Sequence, residues 1–93
     1  MKNRKGEELR VVAAAIRKRS GIVFTLPPPA RHGGIIYAMA KAGVEAPILD
    51  EQGFLLNDGT FCKRGRAFRV ASDAGQIIKK TAPTDLLFSE DLW

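Results

Sequence analysis

The 93 residues contain one cysteine, one histidine, one tyrosine and one tryptophan. A lone thiol, Cys62, excludes an internal disulfide framework and a cysteine-built metal site, and it fits a reducing compartment. A lone imidazole, His32, leaves one side chain that titrates near neutrality. First-row metals want several His, Cys or carboxylate ligands together, so neither a metal nor a cofactor is expected. Long apolar runs are missing too: none has the roughly 20 residues that span a bilayer. Val11 to Ile16 follows positive charge but is too short and too alanine-rich for the apolar part of a secretion signal. The expectation is a cytoplasmic protein with no membrane partner. No Gly-rich phosphate loop of a known class is present, and no Ser-His-Asp or Cys-His spacing suggests a nucleophile.

A chain of this length makes one domain with a modest core, for which self-association would add stability. Its net charge of +5 is unevenly placed. Residues 1–19 hold seven Lys or Arg against Glu7 and Glu8, which already gives +5, and the remainder sums to zero. A basic arm over residues 1–8 is expected to fray ahead of a single α+β domain over residues 9–93. Such an arm either meets nucleic acid or is a solvated end.

Two short apolar runs, "LRVVAAAIR" and "GIVFTL", flank a basic, Gly-containing turn and predict a β-hairpin; Ala13 to Ala15 favour the competing helix over residues 7–19. Pro27 to Pro29 exclude a central strand but suit a first helical turn. From Ala30, the residues Ile35, Ile36, Met39 and Ala42 recur at helical spacing, and Gly43 stops the helix. "LLNDGTF" predicts a two-residue type I′ hairpin around Asp58-Gly59, with Leu56 facing Phe61. A second helix follows, apolar at Ala67, Val70, Ala71 and Ala74, and Gly75 ends it. After a loop over residues 79–85, "LLFSEDLW" is expected to dock on the core. The architecture predicted is two β-hairpins, each followed by a helix.

"LPPPARHGG" opens the first helix without a capping side chain. The first N–H groups of a helix need partners, and prolines offer none. The donors near Arg31, His32 and Gly33, the positive end of the helix dipole, a guanidinium and an imidazole therefore converge where a phosphate or carboxylate would fit. Water is the other candidate to cap them. Catalysis by His32 would need a carboxylate such as Asp50, Glu51, Glu90 or Asp91. Lys63, Arg64, Arg66 and Arg69 open the second helix, as a solvated face or as a second anion site. Arg64 flanks the apolar face, three and four residues before Ala67 and Phe68, and is placed to reach inward. Gln76 and Gln52 each offer a donor and an acceptor. Glu90 and Asp91 could pair with the basic arm or with Arg31.

Leu26-Pro27, Pro29-Ala30-Arg31-His32, Gln52-Gly53-Phe54-Leu55, Asp58-Gly59, Phe61, Arg64, Ala67, Gly75-Gln76 and Ser89 to Trp93 form a pattern over about 70 residues that resembles a family. These are short proteins of tailed bacteriophages and prophages, to which no activity attaches. Family members commonly carry a polar residue or His at Gly33, Glu at Arg66 and an aliphatic residue at Cys62, so roles at positions 33 and 66 do not transfer. The resemblance implies a phage accessory protein inside a bacterial host, of a kind that often counters host defence by blocking a protein or sequestering a nucleotide signal.

The resulting expectation is a non-catalytic, sponge-like binder of a phosphate-bearing nucleotide, working as a homo-oligomer. Arg31 and the backbone near His32 and Gly33 would hold phosphate with help from Arg64, and His32 and Gln76 would contact sugar or base. A phosphodiesterase-type enzyme using His32 is one alternative. An inhibitor binding nucleic acid or a host protein through the basic arm is the other.

Overall fold

The structure is a computed structural model that describes residues 1–44 and 51–93. In chain order the elements are β1 (Val11–Arg17), β2 (Val23–Thr25), α1 (His32–Lys41), β3 (Glu51–Leu56), β4 (Phe61–Lys63) and α2 (Arg64–Asp73), with a 3₁₀ turn at Ser89–Asp91. The strands form one antiparallel sheet in the order β2-β1-β3-β4. This is the expected α+β domain of two hairpins, each followed by a helix.

The first apolar run is a strand, not the competing helix. Its pairing with β3 is irregular between Val11 and Ala13. After that irregularity Ala14 and Ile16 join Val11 in the core, while Ala13 and Ala15 lie on the other face. The core face also carries Phe54, Leu56 and Cys62, and it is covered by Ile35 and Met39 of α1 and by Ala67, Val70 and Ala71 of α2. Leu87 and Leu92 complete this cluster, so the C-terminal segment docks as expected.

The second hairpin departs from expectation by one residue. Leu55, not Leu56, opposes Phe61, and Leu56 N donates to Thr60 O (2.9 Å). A type I′ turn needs positive φ at both central residues. Among the described residues only glycines have positive φ, so Asp58 does not meet that need; Gly59, at φ +85°, supplies the left-handed residue of a three-residue loop. The one-residue slip decides which leucine is buried: Leu56 enters the core and Leu55 does not.

Both helices end in the same glycine device. Val44 N donates to Met39 O and Gly43 N to Ala40 O; Gln76 N donates to Ala71 O and Gly75 N to Ser72 O. With Gly43 at φ +80° and Gly75 at φ +69°, these are Schellman caps.

Residues 1–8, the N-terminal arm, fold back into a turn. Asn3 Oδ1 accepts from Lys5 N (2.9 Å) and Glu7 N (3.0 Å), and the Lys2 and Glu8 backbones pair as an isolated antiparallel bridge. Asn57 holds this turn against the second hairpin: its Nδ2 donates to Glu8 O (2.9 Å), and its Oδ1 accepts from Arg10 N (3.0 Å).

Candidate functional site

The start of α1 has no side-chain cap and no acidic residue in its first turn. Arg31, the N-cap residue, is exposed, and its guanidinium donates to the Trp93 main-chain oxygen. The Trp93 indole N–H donates to Ala30 O (3.2 Å). The two contacts lay the C-terminal residue across the mouth of the helix. Gly33 is exposed, with open space where a Cβ would stand.

His32 points the other way. It is buried, packs edge-on against Phe54 (5.2 Å between ring centres), and its Nε2 donates to Gly53 O (2.7 Å). A carbonyl only accepts, so Nε2 carries the proton and Nδ1 is the acceptor of the neutral ring. Burial pulls the imidazole pKa below its ordinary value of 6.5; the Gly53 carbonyl opposes this, the Arg64 charge adds to it, and the Glu90 charge opposes it.

Arg64 reaches inward, as its place on α2 predicts. Its guanidinium donates to Leu87 O (2.8 Å) and Gln52 Oε1 (2.8 Å), and it lies 4.8 Å from the Phe88 ring centre and 5.9 Å from that of Phe54. In return, Leu87 N donates to Arg64 O (3.0 Å). Arg64 thus joins α2, β3 and the C-terminal segment. Burial lowers its pKa, against the charges of Glu90 and Asp91.

Two of the named residues, Arg31 and Arg64, therefore touch the C-terminal segment, and His32 is reached by the charge of its Glu90. Gln76 does not join them. Its Oε1 accepts from Val11 N and its Nε2 donates to Val11 O, both at 2.8 Å, so the amide continues the ladder of β1 where β2 does not reach. Val11 pairs with Leu56, whereas Gly53 pairs with Ala15. Gln76 and His32 thus contact opposite ends of the β1–β3 ladder.

The start of α2 offers more open surface. Lys63, its N-cap, makes no side-chain cap, and the first turn has no acidic residue. A cleft of about 570 Å³ opens there, lined by Glu51, Gln52, Lys63, Arg64, Arg66, Arg69 and others. Lys63 pairs with Glu51 (2.8 Å), which also pairs with Arg17 (2.6 Å). Arg66 and Arg69 are exposed and form no salt bridge among the described residues, and the Arg66 charge helps to lower the Asp58 pKa. The spacing of positions 63, 66 and 69 displays this basic row in the sequence. Leu86, the exposed apolar residue of the cleft, opens the "LLFSEDLW" segment that the sequence marks for docking, but it stays exposed while Leu87 beside it is buried.

The carboxylates proposed for His32 are differently employed. Asp50 lies outside the described residues, and Glu51 is held by Arg17 and Lys63. Asp91, expected to pair with Arg31 or the basic arm, is fully buried elsewhere. One oxygen accepts from Thr81 N and Oγ1 (both 2.7 Å), the other from Phe88 N (2.9 Å) and Lys80 Nζ (3.0 Å). Glu90 is exposed and acts on His32 through its charge. Among the described residues no three His, Cys, Asp or Glu side chains group as metal ligands, and no helix is long and apolar enough to cross a membrane.

No curated protein and no solved structure matches the chain. The expected phage resemblance does find its match, over a span that begins just after the N-terminal turn and runs through both hairpins, both helices and the C-terminal segment. Residues 10–93 match the family model described as phage T4 y16D protein, and the chain belongs to that phage protein family.

Proposed function

We propose that this phage protein is an accessory factor, with counter-defence as its candidate role, that binds a phosphate-bearing nucleotide ligand without turning it over. The cleft at the start of α2 carries this reading. There Arg66 and Arg69, neither of them in a salt bridge among the described residues, flank the start of a ten-residue helix with no side-chain cap, and the apolar Leu86 lies beside them. Guanidinium groups and helical N–H donors suit phosphate oxygens, and an apolar neighbour suits a base or sugar. The start of α1 is the weaker candidate, because Arg31 already holds the Trp93 oxygen.

His32 supports binding over catalysis. Its Nε2 proton holds Gly53 O inside the core, and its ring is packed on Phe54. The cleft is open on one side, and a second copy of the chain in a homo-oligomer would deepen it. The test is a thermal-shift and titration panel of linear and cyclic nucleotides, with recovery of the small molecule afterwards. The expected outcome is a ligand recovered intact, with Arg69→Ala weakening it by about tenfold, the loss of one charge-assisted contact. Unchanged affinity in Arg69→Ala would overturn the site. A cleaved product would replace the reading with a phosphodiesterase.

A further inference from the structure

The basic surface does not stop at the cleft. A second hollow of about 700 Å³ lies between the N-terminal turn and the β3–β4 connection, and Arg66 lines both. Lys2, Arg4 and Lys5 stand around the second hollow, as Lys63, Arg64 and Arg69 stand around the first. The two linings hold these seven basic side chains against three acidic ones, Glu7, Glu51 and Asp58, a net +4 where the whole chain carries +5.

Each of those three acids has a partner close at hand: Glu7 Oε1 accepts from Asn3 Nδ2 (3.2 Å). Glu51 is held by Arg17 and Lys63, and Asp58 Oδ1 accepts from Thr60 N (3.1 Å) and Oγ1 (2.6 Å). Lys2, Arg4, Lys5, Arg66 and Arg69, by contrast, form no salt bridge among the described residues, although the Arg66 charge reaches Asp58.

Small-ligand sites occupy roughly 300–1,000 Å³, so either hollow alone has room for a mononucleotide. One mononucleotide leaves the other hollow, and its positive charge, without an anion. A chain of phosphates uses both. Neither lining contains an aromatic side chain, and without stacking platforms the recognition is of backbone charge and not of bases.

We propose that the ligand is an oligonucleotide whose phosphodiester backbone crosses Arg66. Lys2, Arg4 and Lys5 hold phosphates on one side, and Arg69 with the start of α2 holds them on the other. This rests on the phosphate-binding reading above and adds the polymer and the second hollow.

Fluorescence anisotropy with a labelled oligothymidylate of roughly 12 nucleotides, alongside thymidine monophosphate, tests it at about 50 and 200 mM salt. The oligomer is expected to bind at least tenfold more tightly than the monophosphate. Its log-affinity should fall with log-salt at a slope of about −3 if four phosphates are neutralised. The triple variant Lys2→Ala, Arg4→Ala, Lys5→Ala changes exposed residues only; it should lose about tenfold for the oligomer while monophosphate affinity stays within about twofold. Equal affinity for monomer and oligomer, or an unaffected triple variant, overturns the oligonucleotide proposal and leaves the small-ligand reading standing. Absence of binding by either probe overturns both.

Discussion

Gly53 has no side chain to contribute, yet three constraints meet on it. Its carbonyl accepts the His32 proton, and its backbone pairs with Ala15 on one side and Lys63 on the other. A Cβ at this position would stand 2.3 Å from Cys62 O and 2.5 Å from the Phe61 ring. That ring lies across β3 on the outer face, with the Arg17 guanidinium 4.6 Å from its centre. Neither a backbone oxygen nor a ring held in this way gives easily. Gly53→Ala should therefore lower stability by about 2 kcal/mol, within the cost of overpacking, as measured by urea denaturation. His32 carries a second prediction at this scale. Its folded pKa lies below the unfolded value of 6.5, so below that pH the unfolded chain binds more protons than the native one. Stability should fall as pH drops through 6.5 toward the folded pKa. Melting temperatures at pH 7.5, 6.5 and 5.5 should show that fall in the wild type and a flatter course in His32→Gln.

At the scale of elements, the C-terminal segment is organised by one buried carboxylate. Asp91 gathers Thr81, Phe88 N and Lys80, and Lys80 Nζ also donates to Leu86 O (2.8 Å) and lies 5.1 Å from the Phe68 ring centre. Burial alone would raise the Asp91 pKa; the hydrogen bonds from Phe88 and Thr81 and the Lys80 contact outweigh it and hold the value at about 2, against an ordinary 3.8. The folded pKa is the lower one, so the stabilisation is present above about pH 4 and is lost as pH falls toward 2, amounting to about 2 kcal/mol. Glu51 and Asp58 are shifted the same way, Glu51 by Lys63 and Arg17 and Asp58 by Thr60. Asp91→Asn should be less stable at neutral pH and should show a shallower acid-unfolding slope. A slope equal to the wild type's would mean the carboxylate is not what holds the segment.

The whole molecule is one sheet with both helices and the C-terminal segment on the same face, and Arg64 is where these parts meet. It bonds β3 through Gln52, bonds the C-terminal segment through Leu87, and begins α2. Replacing it with alanine leaves the Leu87 carbonyl without its charged donor, a change that costs about 1.5–3 kcal/mol. Arg64→Ala should also make residues 79–93 the first to be cut in limited proteolysis, ahead of the sheet. Simultaneous cleavage throughout would show that the segment and the sheet unfold together. Charge is a property of this scale as well. The N-terminal turn and the outer face of α2 are far apart in sequence, and both line the hollows that Arg66 joins.

The order of elements, the two glycine stops, the uncapped starts of both helices and the docking of "LLFSEDLW" are local properties, set by side-chain periodicity, by the φ that glycine permits and by missing capping groups. The phage family too is carried by the string of residues itself. What only the tertiary structure decided are the matters of register and partner. Whether Leu55 or Leu56 faces Phe61 depends on a turn in which Asp58 keeps negative φ. Gln76 finds a strand edge that no spacing reveals. His32, Arg64 and Asp91 carry polar groups that must be satisfied once buried, and apart from Phe88 N, three residues before Asp91, their hydrogen-bond partners lie 10–23 residues away in the chain. Sequence shows that such groups exist; only the packing of the sheet, helices and C-terminal segment determines which of them meet.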